Sequence, residues 1–260
     1  MKIIAALLIS ASLLLSAPFN HKVMYSECAM PSEKWAGGLR LNLALPIPMI
    51  TTDLFGNING WFDVDIVRSG WNKLKLDSNN AITDLFWTLG VRSKPFEFSV
   101  AGKPLYVAAG LKIFKSDFEI IDIPAKDTFS IYDNSFVLYL TESYRFTDRH
   151  RVNLHTSLSF RDGGTKTYYF IPSYVFTINE RWAFNYEYYL TNTVELPGKI
   201  IQRIYDEDGL EFHNYKQVAV SFMFYGVSYS RKHLRLDFSI GNHVSFNPPF
   251  LVMTGIGWQF

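Results

Sequence analysis

Most of the chain alternates apolar and polar residues with a period of two. Over 152–160, Val152, Leu154, Leu158 and Phe160 share one face and Asn153, His155, Ser157 and Ser159 the other. Tyr168, Phe170, Tyr174, Phe176 and Ile178 alternate in the same way with Thr167, Ser173 and Thr177. Trp182, Phe184, Tyr186, Tyr188 and Leu190 alternate with Asn185, Glu187 and Thr191, and Val218, Val220, Phe222 and Phe224 with Gln217 and Ser221. Leu234, Leu236, Phe238 and Ile240 alternate with Arg235, Asp237 and Ser239. Successive side chains of a strand point to opposite faces, so this is the pattern of strands with one apolar and one polar side. No window of comparable length carries a 3.6-residue stripe.

The alternation predicts eleven strands: 37–44, 59–67, 82–92, 104–115, 134–146, 151–161, 166–178, 181–192, 215–225, 232–241 and 249–260. The clearest are twice the roughly 5–6 residues of an average soluble strand, and match the roughly 9–11 residues that cross a hydrocarbon layer at a tilt. Up-and-down membrane barrels in bacteria hold even strand numbers, so a twelfth strand is expected near 68–103, either 71–76 or 96–100. The predicted fold is all-β: an antiparallel up-and-down transmembrane β-barrel of twelve strands, with ten and fourteen the neighbouring even counts. Connections 147–150, 179–180 and 226–231 are short and alternate with the longer 116–133, 193–214 and 242–248. That is the asymmetry of short periplasmic turns and long outer loops, from which 162–165 departs by being short on the outer side. Pro46, Pro48, Pro124 and Pro197 fall in connections, as expected where central strands exclude proline. Pro172 falls inside a strand and predicts a local break in pairing.

The polar face of the predicted strands carries Arg40, Arg92, Lys112, Arg145 and Arg235 against Asp63, Asp65, Asp84, Glu187 and Asp237, with His155 among them. These are the candidate lumen-lining residues. Their signs balance, so they dictate no ion selectivity; they suit either a polar pore or a narrow interior packed with paired charges. Glu142 sits on the apolar face with Leu138, Leu140 and Tyr144, a position explained by a bulge or by nearness to the membrane interface. Composition fits this division. Aromatic residues make up 17% of the 260 residues, yet charged ones reach 19% and the net charge is +1. The near-neutral balance argues against a nucleic-acid partner, and the aromatic content against disorder.

Residues 1–17 read as a secretory signal peptide: Lys2, an apolar run over 3–15, then Ser16 and Ala17, with Pro18 leaving the cleavage site open. Residues 18–36 form an N-terminal lead-in and 37–260 one barrel domain. Cys28 is the single cysteine, so no internal disulfide is expected, and Tyr25-Ser26-Glu27 before it do not suit lipid attachment.

The last nine residues are Val252-Met253-Thr254-Gly255-Ile256-Gly257-Trp258-Gln259-Phe260. Apolar residues recur at alternate positions, Phe260 is aromatic, and Gly255 lies five residues before it. This resembles the C-terminal β-signal of bacterial outer-membrane barrel proteins, with Met253 departing at a position that is commonly polar. The resemblance implies residence in the outer membrane, contact with its lipids, and recognition of Gly255, Trp258 and Phe260 by the outer-membrane assembly machinery.

No phosphate loop, paired-cysteine metal pattern or nucleophile elbow is present, and neither catalytic residues, cofactor nor metal is expected. His155 and Ser157 lie two apart on one strand, about 6.6 Å at the usual rise, too far for a nucleophile–base contact. The acidic run Asp206-Glu207-Asp208-Gly209 reads as a hairpin turn in the longest outer loop. The expected function is a non-enzymatic, porin-like channel for passive diffusion of small polar solutes. The alternative is a closed structural or adhesive surface barrel acting through its outer loops. A lipid-modifying barrel enzyme lacks a convergent site, and a soluble ligand-binding barrel would reverse the two faces.

Overall fold

The alternating segments form thirteen strands: β1 (Gly37–Leu45), β2 (Met49–Ile58), β3 (Phe62–Lys75), β4 (Asn80–Ser93), β5 (Phe96–Val100), β6 (Lys103–Asp122), β7 (Asp127–Arg145), β8 (His150–Arg161), β9 (Lys166–Thr177), β10 (Trp182–Thr191), β11 (Val220–Arg231), β12 (Leu234–His243) and β13 (Phe250–Gln259). The computed structural model describes residues 22–24, 26–32, 36–45, 49–75, 80–122, 127–161, 166–191, 220–243 and 250–259. The signal peptide (1–17), the 206–209 turn, Phe260, most outer connections and the side chain of Asp84 lie outside them.

Each strand pairs antiparallel with its neighbour, β1 pairs with β13, and β4 pairs directly with β6. The result is a closed antiparallel barrel of twelve strands, with β5 outside the ring. Closure leaves no long unpaired edge.

The twelfth strand is β2, not the 71–76 or 96–100 segments expected from the sequence. Residues 71–75 belong to β3, while 96–100 form β5. Outward Thr52 and Gly56 interrupt the apolar face between Ile50, Leu54 and Ile58, which hides the alternation. Asn59 and Gly60 then both take positive φ, 52° and 75°, as a two-residue type I′ hairpin turn requires. They are the turn between β2 and β3, not the start of a strand, and β3 therefore runs opposite to the direction its predicted range implied.

Three other boundaries move. The predicted outer loop 116–133 is strand on both sides of 123–126, because β6 and β7 pair from Leu105↔Tyr144 out to Asp122↔Asp127. The predicted strand 215–225 is displaced to β11, so 226–231 is strand and the turn falls at Lys232-His233. Phe224 consequently faces inward and Tyr225 and Val227 face outward. Finally, Lys94-Pro95 interrupts the course of β4 along β6. β4 pairs with β6 as far as Arg92↔Gly110, and β5 resumes at Phe96↔Val107, since proline has no N–H to offer the ladder.

Pro172 has the predicted effect. The β9–β10 ladder pairs Ser173↔Glu187 and Phe170↔Leu190 but has no partners between them. The equal register on both sides makes this a gap and not a bulge. Glu142 does face outward, and the unbroken register of β7 with both neighbours excludes a bulge there. It lies three residues before the short-turn end of β7, where a polar head group is in reach.

The two faces differ as membrane solvation demands. Leu138, Ile240 and Ile256 point outward and are 46–50% exposed, whereas Arg40 and Asp237 point inward and are 3% exposed. Such a continuous apolar exterior is far beyond what water tolerates. Trp61, Phe62, Phe146, Trp182 and Trp258 lie exposed at the short-turn rim, where aromatic residues girdle membrane barrels.

Candidate functional site

The interior is where the chemistry collects. Arg40 (β1), Asp63 and Asp65 (β3), Arg92 (β4), Lys112 (β6), Arg145 (β7), His155 (β8), Glu187 (β10), and Arg235 and Asp237 (β12) all fall on the inner face by strand parity. The structure joins them in three groups. Asp237 Oδ2 accepts from Arg40 at 2.8 Å, and its Oδ1 accepts from Arg235 Nε at 3.0 Å and from the Ser228 hydroxyl. Arg92 pairs with Asp63 across the β3–β4 ladder, its Nε 2.9 Å from Oδ2. Asp65 and Lys112 meet at 3.5 Å over Gly90, the residue that pairs with both and has no side chain to keep them apart. Lys112 also lies 5.3 Å from the centre of the Tyr139 ring, which itself stacks on His155.

The sequence did not foretell what occupies the centre. Residues of the lead-in, 22–24 and 26–32, run inside the barrel. Lys22 and Glu27 form an antiparallel bridge, and Val23 N–H donates to the Ser26 carbonyl at 3.0 Å, closing a tight hairpin. Its side chains are enclosed: Val23, Met24, Cys28 and Ala29 are no more than 1% exposed. Met24 packs with Ala44, Phe224 and Met253, and it fills the space above Gly226 that any side chain there would need. Val23, Cys28 and Met30 pack on Val175.

The wall charges bind this segment directly. Glu187 Oε1 accepts from Met24 N–H and Ser26 N–H, both at 3.0 Å, and from the Ser26 hydroxyl at 2.6 Å. Arg40 donates to the Met24 carbonyl, Arg235 to those of Lys22 and Val23, and Arg92 to those of Cys28 and Met30. Lys112 pairs with Glu27, and Lys22 with Asp53 of β2. Ser143 Oγ accepts from Ala29 N–H at 2.9 Å. Seven strands around the circumference thus hold the segment. A backbone outside the sheet can be buried only if its polar groups find such partners.

Sequence reasoning missed Asp53 and Asn57 because β2 went unseen. It placed Asn153, Ser173 and Asn185 on the polar face without naming them as lumen-lining residues, and it put Ser228 in a connection; these form hydrogen-bonded rungs, Asn153–Ser173 at 3.1 Å and Asn185–Ser228 at 2.6 Å. The small polar residues at alternate positions were the available signal. Conversely, no hydrogen bond joins His155 to Ser157 or Ser159 among the described residues; Ser159 is buried and the His155 Nδ1 has no partner. Of the predicted assembly signal, Trp258 faces outward and Gly255 inward beside Asn42 and Arg40.

The sequence matches no protein-family model and no curated protein. Its structure is similar to solved barrels. The KdgM porin is 12% identical, with 86% of this chain and 99% of the porin covered and a TM-score of 0.54. The NanC porin is 10% identical over 85% and 97%, with a TM-score of 0.48. The translocator domain of the autotransporter NalP from Neisseria meningitidis is 9% identical over 88% and 90%, with a TM-score of 0.47. Ring closure, strand number, apolar exterior and likeness to the first of these agree: the chain is a twelve-strand outer-membrane β-barrel with a porin-like fold.

Proposed function

We propose that the protein is a small channel for passive diffusion of polar solutes across the bacterial outer membrane, held closed by its own residues 22–32. One observation carries this reading. The segment that fills the lumen belongs to no ladder of the barrel, so it can withdraw with every strand pair intact, and the wall it leaves behind is polar. A permanently filled barrel has no need to spend Arg40, Arg92 and Arg235 on the carbonyls of a separate segment; apolar packing is at least as stabilising as buried ion pairs. The lumen-lining residues named above would contact the solute after withdrawal. The exposed Trp258, with Gly255 and Phe260, serves recognition by the assembly machinery in the same reading, and the outward aromatics contact the outer-membrane lipids.

The alternative is a closed surface barrel acting through its outer loops, and the ion-paired lumen favours it. Planar-bilayer recordings separate the two. The intact chain is expected to show a closed baseline with rare openings, and a variant lacking residues 22–32 a steady conductance. A variant that migrates on gels as a folded, heat-modifiable barrel but conducts nothing overturns the channel. The sole thiol offers a reversible check: in Val175→Cys, oxidation to Cys28 should abolish openings and reduction restore them.

A further inference from the structure

The arginines at the short-turn end make no hydrogen bond or ion pair with the closing segment among the described residues. Arg145 ends β7, Arg151 is the second residue of β8, and Arg149 and Arg181 sit on the turns before β8 and β10. They line one cavity of about 230 Å³, whose floor includes Lys22 and Arg235. Only two carboxylates, Asp148 and Glu180, share its lining, and both are exposed on turns. Lys22 and Arg235 are committed to Asp53 and Asp237. No ion pair joins the other four to a carboxylate among the described residues. Arg151 Nε is shut off from solvent with no hydrogen-bond partner, and Arg145 and Arg235 both lie close enough to act on it electrostatically.

Gathering like charges in a half-enclosed space is unfavourable unless an opposite charge enters. Guanidinium groups present a planar fork of donors matched to carboxylate and phosphate oxygens. Thr147, Thr177, Asn179 and Ser230 add uncharged donors to the same lining. The space would hold about eight water molecules at roughly 30 Å³ each, enough for a small organic acid or phosphorylated solute.

We propose that the short-turn mouth, built around Arg145 and Arg151 with Arg149 and Arg181 at its rim, is a binding site for a small solute carrying carboxylate or phosphate groups. It rests on the channel reading, in which that solute passes the mouth as it enters or leaves the lumen. The same oxyanion chemistry is offered by lipid headgroups, so the experiment has two arms.

The full chain in neutral detergent micelles is dialysed against labelled citrate and, separately, inorganic phosphate at low salt. Citrate should bind saturably, at least thirtyfold more weakly to the folded Arg145→Gln/Arg151→Gln variant, while Arg145→Lys/Arg151→Lys, which keeps the charge but not the fork, should fall between the two. Should the glutamine variant not fold, Arg149→Gln/Arg181→Gln at the exposed rim should weaken binding about tenfold. In the second arm the chain is placed in nanodiscs of phosphatidylcholine with or without phosphatidylglycerol, and citrate binding should be the same in both. Absence of citrate and phosphate binding, or equal binding by the glutamine variants, overturns the site. Loss of citrate binding in phosphatidylglycerol overturns the solute assignment in favour of a headgroup. Binding without conductance faults the channel reading alone, and conductance without binding faults this one.

Discussion

Two sets of interior arginines can be compared within one lumen. At mid-wall, Arg40 and Arg235 converge on Asp237 and also donate to carbonyls of the enclosed hairpin. At the mouth, Arg145 and Arg151 face the same lumen with no carboxylate in ion-pair contact. The residue type is the same; the company differs. A buried cation held by a carboxylate is structural, since its removal strands its partner. A half-buried cation with no carboxylate in ion-pair contact stores a preference for something not yet present.

The contrast can be broken most forcefully at Asp237. Asp237→Asn leaves Arg40 and Arg235 without their shared counter-charge, and removing one partner of a buried pair costs about 3–5 kcal/mol. The heat-modification midpoint on gels should fall markedly. Next is Glu187→Ala, which removes the acceptor of three bonds from the hairpin. Bonds to charged groups contribute about 1.5–3 kcal/mol each but share one acceptor oxygen and are not additive, so a loss of at least about 3 kcal/mol should raise the rate of Cys28 labelling by maleimide at least about a hundredfold. Unchanged labelling would show that Glu187 does not hold the segment. Ser143→Ala removes one neutral acceptor for Ala29 N–H and should raise labelling by about fivefold, in line with roughly 1 kcal/mol for such a bond. At the mouth, Arg151→Gln is expected to leave the heat-modification midpoint within about 0.5 kcal/mol of the parent, or slightly above it, because a like-charge contact is relieved. A loss as large as that of Asp237→Asn would erase the distinction.

The barrel was legible wherever the alternation was strong. Strand β10 puts aliphatic or aromatic residues at every outward position, β8 and β12 depart from this mainly at Thr156 and Asn242, and the inward charges of all three could be named from parity alone. β2 was illegible because Thr52 and Gly56 stand at lipid-facing positions, and a small residue there carries no signal of which side it faces. β11 was misplaced because Phe224, though apolar, is an interior residue, packed against Met24 and Met253. The enclosed hairpin was beyond sequence reasoning for a different reason. Val23, Met24, Cys28, Ala29 and Met30 are apolar without period two, and their burial depends on partners 16 to 212 residues away in sequence. Charge counting could locate the lumen but not tell spent from unspent arginines, because that depends on where a non-strand segment runs.

The meeting of β1 with β13 also sets an order of events. Every other ladder of the ring joins strands that are neighbours along the chain or, for β4 and β6, separated by one short strand. These can zip up in sequence, each needing only local search. The seam from Gly38↔Gln259 to Leu45↔Val252 is the one step that brings distant parts of the chain together. The hairpin leads into β1, with Ala36 tied by its carbonyl to Asn57 N–H at the rim. The newborn sheet must therefore curl around its own leading residues, or shut first and then admit them through the mouth. In the first sequence the hairpin is a mandrel on which the cylinder is wound. Its arginine and glutamate contacts would then guide closure before they ever restrain a pore.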